Sequence, residues 1–294
     1  MQKKASLSVI LAGILWGLIT VFVKKLSAAG FDSLQIALIR LSVAAVLFVG
    51  FLAVTDRQKL KIRLRDIWMF IGTGVVSVTL FNFCYFYTTI NSQASIAVVL
   101  LYTSPVWIMI FSAVLFKDPV TKRKLLVVVM TVAGCVCVTG MLEGSVAVTP
   151  LVLFTGVCSG IFYGLYTIFG KYALAKYDSM TVTAYTFLFG TLGSLPLGKP
   201  AKTLEILAES PELILWCLGI GIASTVLPYV FYTWGLKYLD SGRASILVAT
   251  EPLVGAVLGM TVYHETHSVL KICGILLILA AIIVLNIEKK PEQA

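Results

Sequence analysis

Two charged side chains, Arg40 and Glu251, stand inside long uncharged segments of this chain. Each lies about eight or nine residues into its segment, which is about 12–13 Å along a helix. A charge at that depth of a membrane is costly and usually functional. A Glu251 carboxylate in apolar surroundings is suited to bind either a proton or a cationic substrate group. Alternatively, it serves a structural role and stabilises the backbone groups that Pro252 leaves without a partner.

For Arg40 the structural interpretation is the stronger one, because a guanidinium in the second segment can tie helices together or bond a cluster of carbonyl groups. Neither charge recurs half a chain length away. The counterparts of Arg40 are Thr186 or Phe187, and the counterpart of Glu251 is Ser104. The two halves of the chain therefore differ in their intramembrane charges.

Aromatic residues are concentrated in the third and eighth apolar segments. Rings that line a cavity bind apolar or aromatic ligands and attract cations, and tyrosine hydroxyls supply the oriented polar contacts of a small-molecule pocket. Any single ring can instead face lipid. The residues that we expect to bind substrate are Trp16, Asn82, Tyr85, Tyr102, Tyr163, Tyr229, Tyr232 and Glu251. Glu251 is also the group that we expect to couple transport to a proton or a cation.

The sequence offers no catalytic machinery. The run His264-Glu265-Thr266-His267 has metal-ligating side chains but lacks a third ligand from elsewhere in the chain. No phosphate-binding loop, serine-centred elbow or zinc-protease motif is present. The six cysteines lie in apolar segments and behave as small hydrophobic residues. We therefore expect no enzyme activity, no cofactor and no bound metal.

The elements that must position these residues are membrane helices. Of the 294 residues 59% are hydrophobic and only 13% are charged, against about 25% charged in soluble domains. The mean hydropathy is +0.97. A membrane helix needs about 20 apolar residues. The chain divides into ten such segments, which are Ser6–Leu26, Ser33–Val54, Ile67–Ile90, Ala94–Phe116, Leu125–Leu142, Pro150–Gly170, Ser179–Gly198, Leu213–Leu236, Ala244–Tyr263 and Val269–Ile287.

The basic residues alternate between the two ends of these helices. Seventeen of the 23 fall in the terminal segments and loops of one side, five fall on the other side, and Arg40 lies within a helix. The positive-inside rule places the richer side in the cytoplasm, and therefore both termini as well. The net charge of +9 comes from basic residues whose distribution reflects the membrane topology, and it does not indicate nucleic-acid binding.

The chain matches itself at an offset of 147 residues, and this divides it into residues 1–147 and 148–294. The segments that begin at Gly13 and Gly160 share seven identities in 12 positions. Five helices per copy is an odd number, so the second copy must be inverted in the membrane. Pro105 and Pro252 match across the copies, and each removes a backbone donor. We expect both prolines to mark hinges in their helices.

These residues together resemble the EamA-type transporters of the drug/metabolite transporter superfamily. The resemblance covers the whole chain and rests on Trp16-Gly17, Tyr163-Gly164, Arg40, Ala97 with Pro105, Ala244 with Pro252, Glu251-Pro252, Asp118 and Glu265. It implies an all-α membrane protein of ten transmembrane helices in two inverted five-helix repeats. The sequence departs from many relatives at Ser104-Pro105, where they carry a carboxylate. A symmetric pair of acids is therefore absent.

The resemblance and the aromatic residues favour a secondary transporter that exports amino acids or related small amphiphilic metabolites across a bacterial-type plasma membrane by alternating access. One alternative is transport of an organic cation or amine through Glu251. Another is a channel or a lipid-moving protein. We expect as partners a small-molecule metabolite and the lipid bilayer, no nucleic acid, and a monomeric chain.

Overall fold

The computed structural model describes residues 1–91, 97, 100–138, 149–261 and 268–286. Over these residues the chain is helical and contains no strand. Ten apolar helices follow one another as α1 Gln2–Ala28, α2 Ser33–Thr55, α3 67–91, α4 Ser104–Phe116, α5 Lys122–Val138, α6 Pro150–Leu174, α7 Ser179–Ser194, α8 Leu213–Tyr238, α9 241–261 and α10 Val269–Asn286. The predicted boundaries at Ala94, Leu142, Tyr263 and Ile287, and the turn at His264–His267, lie outside the described residues.

Several helices have the length and apolarity needed to cross a bilayer. Within the described residues five qualify, namely Gln2–Ala28, Ser33–Thr55, Leu64–Tyr85, Pro150–Leu174 and Leu213–Tyr238. Two shorter apolar stretches, Ser104–Phe116 and Ile272–Ala281, accompany them. Large apolar side chains such as Val54, Val114 and Leu215 are exposed along the helices, as lipid-facing side chains are. The predicted fold class, an all-α membrane protein with ten helices, is confirmed.

A short helix at Pro200–Glu209, here called the loop helix, stands between α7 and α8. The predicted membrane segments leave this stretch outside the membrane, between Ser179–Gly198 and Leu213–Leu236. Its apolar side packs Ile206 and Leu207 against a buried cluster that includes Phe31 and Ile220. The loop helix therefore covers one end of the bundle without crossing it.

The two halves pack against each other in an exchanged pattern. Helix α1 contacts α8 and α9, and the matching helix α6 contacts α3 and α4. Helix α2 pairs with α7, and α5 pairs with α10. Such an exchange is what a two-fold axis in the membrane plane produces between inverted repeats. With five membrane helices per half, α6 enters the membrane from the side opposite to α1.

Two glycines make the equivalent crossings possible. A Cβ on Gly13 would collide with Thr250 Oγ1, and a Cβ on Gly160 would lie 2.6 Å from Thr103 Oγ1. Both pairs are related by the 147-residue offset. Close approach of helices through small residues is common in membranes. The repeat that is visible in the sequence is therefore also a repeat of contacts.

Helices α3 and α8 each contain a π-helical segment at equivalent positions, Gly72–Thr79 and Ile222–Val226. Hydroxyls support the wider turns by donating five residues back. Ser77 Oγ lies 2.7 Å from Gly72 O, and Thr225 Oγ1 lies 3.0 Å from Ile220 O. Segments of this kind are frequent at functional sites. No feature of the sequence analysis anticipates them.

Helices α4 and α9 are interrupted near the predicted hinges. In α9 the break falls at residues 248–249, between Ser241–Leu247 and Thr250–Thr261. In the first half a turn at residues 102–103 precedes Ser104–Phe116. Pro105 is buried in the first turn of α4, where proline is tolerated. Both interruptions therefore come just before the two prolines. The Pro252 side chain lies outside the described part of the structure.

Polar contacts join the two halves at the end that carries most of the basic residues, here called the basic end. The Asp66 carboxylate accepts hydrogen bonds from Lys176 Nζ at 2.6 Å and from Tyr177 Oη at 2.7 Å. Asp66 is only 3% exposed. Thr181 and Tyr185 donate to the carbonyls of Lys59 and Leu60. We call the group Asp66, Lys176 and Tyr177 the basic-end latch.

An equivalent but smaller set of contacts joins the halves at the opposite end. Lys199 Nζ lies 2.8 Å from the Asp32 carboxylate, and Gln35 Nε2 donates to Thr203 Oγ1 at 3.1 Å. Burial alone would raise the pKa of Asp32, but Lys199 and the backbone N–H groups of Gln35 and Leu34 lower it below the ordinary value of 3.8. This ion pair is therefore intact at neutral pH and is lost only as the pH falls through that lowered pKa.

The crossing of α3 and α7 gives a test of the packing. A Cβ on Gly74 would lie 2.6 Å from Thr186 O and 2.7 Å from Gly190 N, and both are backbone atoms that cannot rotate away. We expect Gly74→Ala to destabilise the protein by about 1–3 kcal/mol, as overpacking does. Gly50→Ala is the control, because nothing lies within 4 Å of its Cβ. Thermal unfolding in detergent should show a lower midpoint for Gly74→Ala alone. Equal midpoints would contradict the crossing.

Candidate functional site

A cavity lies between α1, α3, α6 and α8, and it draws side chains from both halves of the chain. It is lined by Trp16, Ser77, Val78, Phe81, Phe162, Tyr163, Tyr166, Thr167, Tyr229 and Tyr232. We call it the central cavity. The space inside it is narrow and has room for only about one or two water molecules.

The wall of the central cavity is a cluster of rings held at right or tilted angles. Trp16 lies 5.0 Å from Tyr229 and 5.4 Å from Tyr232, measured between ring centroids. Tyr166 lies 5.3 Å from Tyr229. Two hydroxyls are fixed by hydrogen bonds, since Tyr232 Oη lies 2.6 Å from Thr167 Oγ1 and Tyr166 Oη lies 3.0 Å from Thr233 Oγ1. The rings are therefore pre-oriented across the interface between the halves.

Arg40 approaches the cluster from α2. Its Nε donates to Thr225 Oγ1 at 3.2 Å, and Thr225 belongs to the π-helical segment of α8. Tyr229 follows Thr225 by one helical turn. The guanidinium also interacts electrostatically with Tyr229, Tyr163 and Glu251. Arg40 therefore ties α2 to α8 through Thr225 and also interacts with two rings of the central cavity.

Glu251 approaches the same rings from α9. Its carbonyl oxygen would lie 2.8 Å from a Cβ on Gly17, so α9 crosses α1 directly beside Trp16. The Glu251 carboxylate interacts with Tyr102 and Arg40, and it also influences Tyr163 and Tyr229. The Tyr102 hydroxyl is buried and has no hydrogen-bond partner within normal distance among the described atoms. Glu251 is thus an acidic group at the edge of the aromatic cluster.

The two intramembrane charges do not neutralise each other directly. Among the described residues, the ion pairs join Asp32, Asp56, Asp66, Asp178 and Asp240 to lysines, and none includes Arg40 or Glu251. The guanidinium and the carboxylate nevertheless interact through space. One positive and one negative group therefore interact with rings of the central cavity without forming an ion pair with each other.

Four residues that the sequence predicts to bind substrate line the central cavity, namely Trp16, Tyr163, Tyr229 and Tyr232. Tyr102 and Glu251 adjoin it. Tyr85 is half-buried and stacks on Phe81 at 5.6 Å, behind the cavity wall. Asn82 faces a second cavity together with Thr79 and Ser194. The structure thus separates Asn82 from the other predicted residues.

The cavity also contains residues that the sequence analysis does not single out. Ser77 and Thr167 add hydroxyls, and Val78 and Phe162 add apolar surface. Uncharged hydroxyl residues occur in most of the helices, so their types alone carried no signal. Thr167 belongs to the repeated window, in which it matches Thr20. The match with Thr20 was the only feature of the sequence that pointed to Thr167.

Metal binding finds no support in the described part of the chain. No group of three or more His, Cys, Asp or Glu side chains is close enough there to hold a metal ion. The His264 and His267 side chains lie outside the described residues.

Comparison with known proteins agrees with this architecture. The EamA-like transporter family matches residues 3–140 and again residues 150–287. An uncharacterized transporter of Archaeoglobus fulgidus is 28% identical over 94% of this chain and 94% of its own length. The uncharacterized inner membrane transporter YicL of Salmonella typhimurium is 26% identical over 98% of this chain and 97% of its own length.

A solved crystal structure shares the fold. It superposes with a TM-score of 0.79 over 97% of both chains, at 15% sequence identity. The family match covers both halves of the molecule, and each match spans the helices that form the central cavity. The chain therefore belongs to the EamA-like transporter family, and it is a multi-pass membrane transporter.

Proposed function

We propose that this transporter exports amino acids or closely related small amphiphilic metabolites, and that it does so by alternating access. The observation that carries the proposal is the placement of Arg40 and Glu251 beside one aromatic cavity without an ion pair between them. An α-amino acid carries a carboxylate and an ammonium group on one carbon. Arg40 suits the carboxylate, because a guanidinium donates two parallel hydrogen bonds.

Glu251 suits the ammonium group of the same substrate. The rings of Trp16, Tyr229 and Tyr232 then face the substrate side chain, and their faces also attract a cation. Tyr102 is positioned to bond the Glu251 carboxylate or the bound ammonium group, since its hydroxyl has no other partner among the described atoms. Such a site favours zwitterions with apolar or aromatic side chains.

Alternating access follows from the arrangement of the two halves. Ligand sites of inverted-repeat transporters lie between the repeats near mid-membrane. The central cavity has such a position, because it lies where the contacting helices α1 and α8 meet the contacting helices α3 and α6. The basic-end latch and the Asp32–Lys199 ion pair hold the halves together at opposite ends. Each must open in turn while the other stays closed, which prevents a continuous pore.

The distribution of basic residues supports an orientation with both termini in the cytoplasm, and the location that we propose is a bacterial-type plasma membrane. The basic end gathers the loops that contain Lys59, Lys124 and Lys176. In this orientation the basic-end latch faces the cytoplasm and controls entry of substrate for export. We propose a monomer as the working unit, because one chain supplies every residue of the site.

An organic cation is the second candidate substrate. Glu251 and the nearby rings suit it by themselves, without a role for Arg40. The guanidinium beside the same rings opposes it, because a monovalent cation would meet a like charge there. This electrostatic difference separates the two candidates.

Flux through purified protein in liposomes tests the proposal. Three labelled probes of one shape should be compared, namely phenylalanine, phenethylamine and phenylpropionate. We expect saturable flux with phenylalanine preferred, because it alone satisfies both charges. Preference for phenethylamine would favour the organic-cation alternative. Flux that rises linearly with concentration would indicate a channel, and movement of labelled phospholipid between leaflets would indicate a lipid-moving protein.

A further inference from the structure

We propose that a second cavity, formed by α2, α3 and the end of α7, binds a small alkali cation, with Na⁺ preferred. Its polar lining consists of Thr79, Asn82 and Ser194, and its remaining walls are apolar side chains. All three polar residues are nine-tenths or more buried. The cavity has room for about one water-sized occupant. This site is separate from the central cavity and does not depend on the substrate.

An unpartnered oxygen points to an occupant. Asn82 Nδ2 donates to Val78 O at 2.7 Å, which fixes the orientation of the amide. The Asn82 Oδ1 atom is buried and has no hydrogen-bond partner among the described atoms. Leaving a buried acceptor unpaired costs about 1–3 kcal/mol. An occupant of the cavity that contacts Oδ1 would remove this cost.

The other polar atoms of the cavity are hydroxyl oxygens. Thr79 Oγ1 lies 3.1 Å from Gly190 O, 3.3 Å from Gly74 O and 3.4 Å from Ser194 Oγ. Either hydroxyl can donate across the contact between Thr79 and Ser194, and Asn82 Nδ2 has a second N–H beside the one that Val78 O accepts. The oxygens of Thr79, Ser194 and Asn82 are therefore the three side-chain groups that can meet a cation here.

The backbone around the cavity also favours positive charge. Ser194 is the last residue of α7, and the carbonyl end of a helix carries a partial negative charge. Thr79 ends the π-helical segment of α3. Irregular helix and helix C-terminal carbonyls are the groups that coordinate Na⁺ in other transporters. The nearby charges of Asp32 and Lys199 neutralise each other in their ion pair.

Thermal unfolding of the purified full chain tests the site without any transport assay. Melting midpoints should be measured in NaCl, LiCl, KCl and choline chloride at constant ionic strength. We expect a saturable rise in midpoint that is largest in Na⁺. Thr79→Val removes one oxygen and should weaken the apparent Na⁺ affinity by at least about tenfold, as the loss of a supporting metal contact does. Thr131→Val is the matched control, because buried Thr131 bonds only its own helix at Val127 O.

A second variant keeps the proposal testable if Thr79→Val does not fold. Asn82→Asp adds a negative charge beside the proposed ion and should raise the apparent Na⁺ affinity. Identical midpoints in all four salts would overturn the proposal and leave an ordered water as the occupant. A Na⁺ response that survives unchanged in both Thr79→Val and Asn82→Asp would also overturn it. Because the readout is stability, an absence of amino-acid flux would count against the proposed function and not against this site.

Discussion

Glu251→Gln should fold normally, but it should lose transport driven by a pH gradient. Glutamine keeps the shape and most hydrogen-bonding capacity of the side chain, and it removes the group that takes up and releases a proton. If Glu251 is the coupling group, the gradient no longer acts on the cycle. We expect gradient-driven accumulation of amino acid to fall at least about tenfold, which corresponds to about 1.4 kcal/mol.

The measurement is accumulation of labelled phenylalanine in proteoliposomes with and without an imposed pH gradient. Glu205→Gln is the matched control, since Glu205 lies on the loop helix and does not line the central cavity. A Glu251→Gln protein with unchanged pH dependence would assign Glu251 a structural role beside the interruption of α9. The coupling group would then have to be another residue.

Asp66→Asn should loosen the basic end of the molecule. The buried Asp66 carboxylate accepts from both Lys176 and Tyr177, and asparagine cannot match the charge of the lysine. Hydrogen bonds to charged groups contribute about 1.5–3 kcal/mol, and Lys176 is half-exposed, so the lower part of that range applies. Hydrogen exchange of the backbone between residues 56 and 66 should therefore accelerate about tenfold.

Lys59→Gln provides the comparison for this experiment. Lys59 pairs with Asp178 at 3.8 Å, and both side chains are exposed. Exposed pairs contribute only about 0–1 kcal/mol, so exchange in the same segment should change little. Exchange that is equally fast in the two variants would show that Asp66 does not hold this end closed.

Helix positions followed from the sequence because apolar runs end where charges begin. The predicted segment Ser33–Val54 corresponds to α2 at Ser33–Thr55, which Asp32 caps through the backbone N–H of Gln35. The predicted segment Ile67–Ile90 corresponds to α3 at residues 67–91. Crossing a bilayer fixes both the length and the polarity of a helix. These two constraints are local and can be found in a single sequence.

The contacts of the functional residues, by contrast, depend on residues that lie far away in the sequence. The sequence places Arg40 at mid-depth of the membrane, but Arg40 contacts Thr225, a residue 185 positions further along the chain. Asn82 and Tyr85 lie one turn apart on α3, yet Asn82 faces the cavity beside α7 while Tyr85 stacks on Phe81. Which face of a helix meets which neighbour depends on packing through glycines such as Gly74 and Gly190. Spacing alone does not determine that choice.

Counterflow with the Arg40→Gln variant tests whether Arg40 binds the substrate carboxylate. Proteoliposomes preloaded with unlabelled phenylalanine should take up labelled phenylalanine transiently against its gradient, because alternating access exchanges substrate across one site. We expect Arg40→Gln to reduce this counterflow at least about tenfold, as expected for removing a charged partner, and to retain counterflow of phenethylamine. Equal loss for both compounds, or no counterflow in the unmodified protein, would contradict binding of a zwitterion between Arg40 and Glu251.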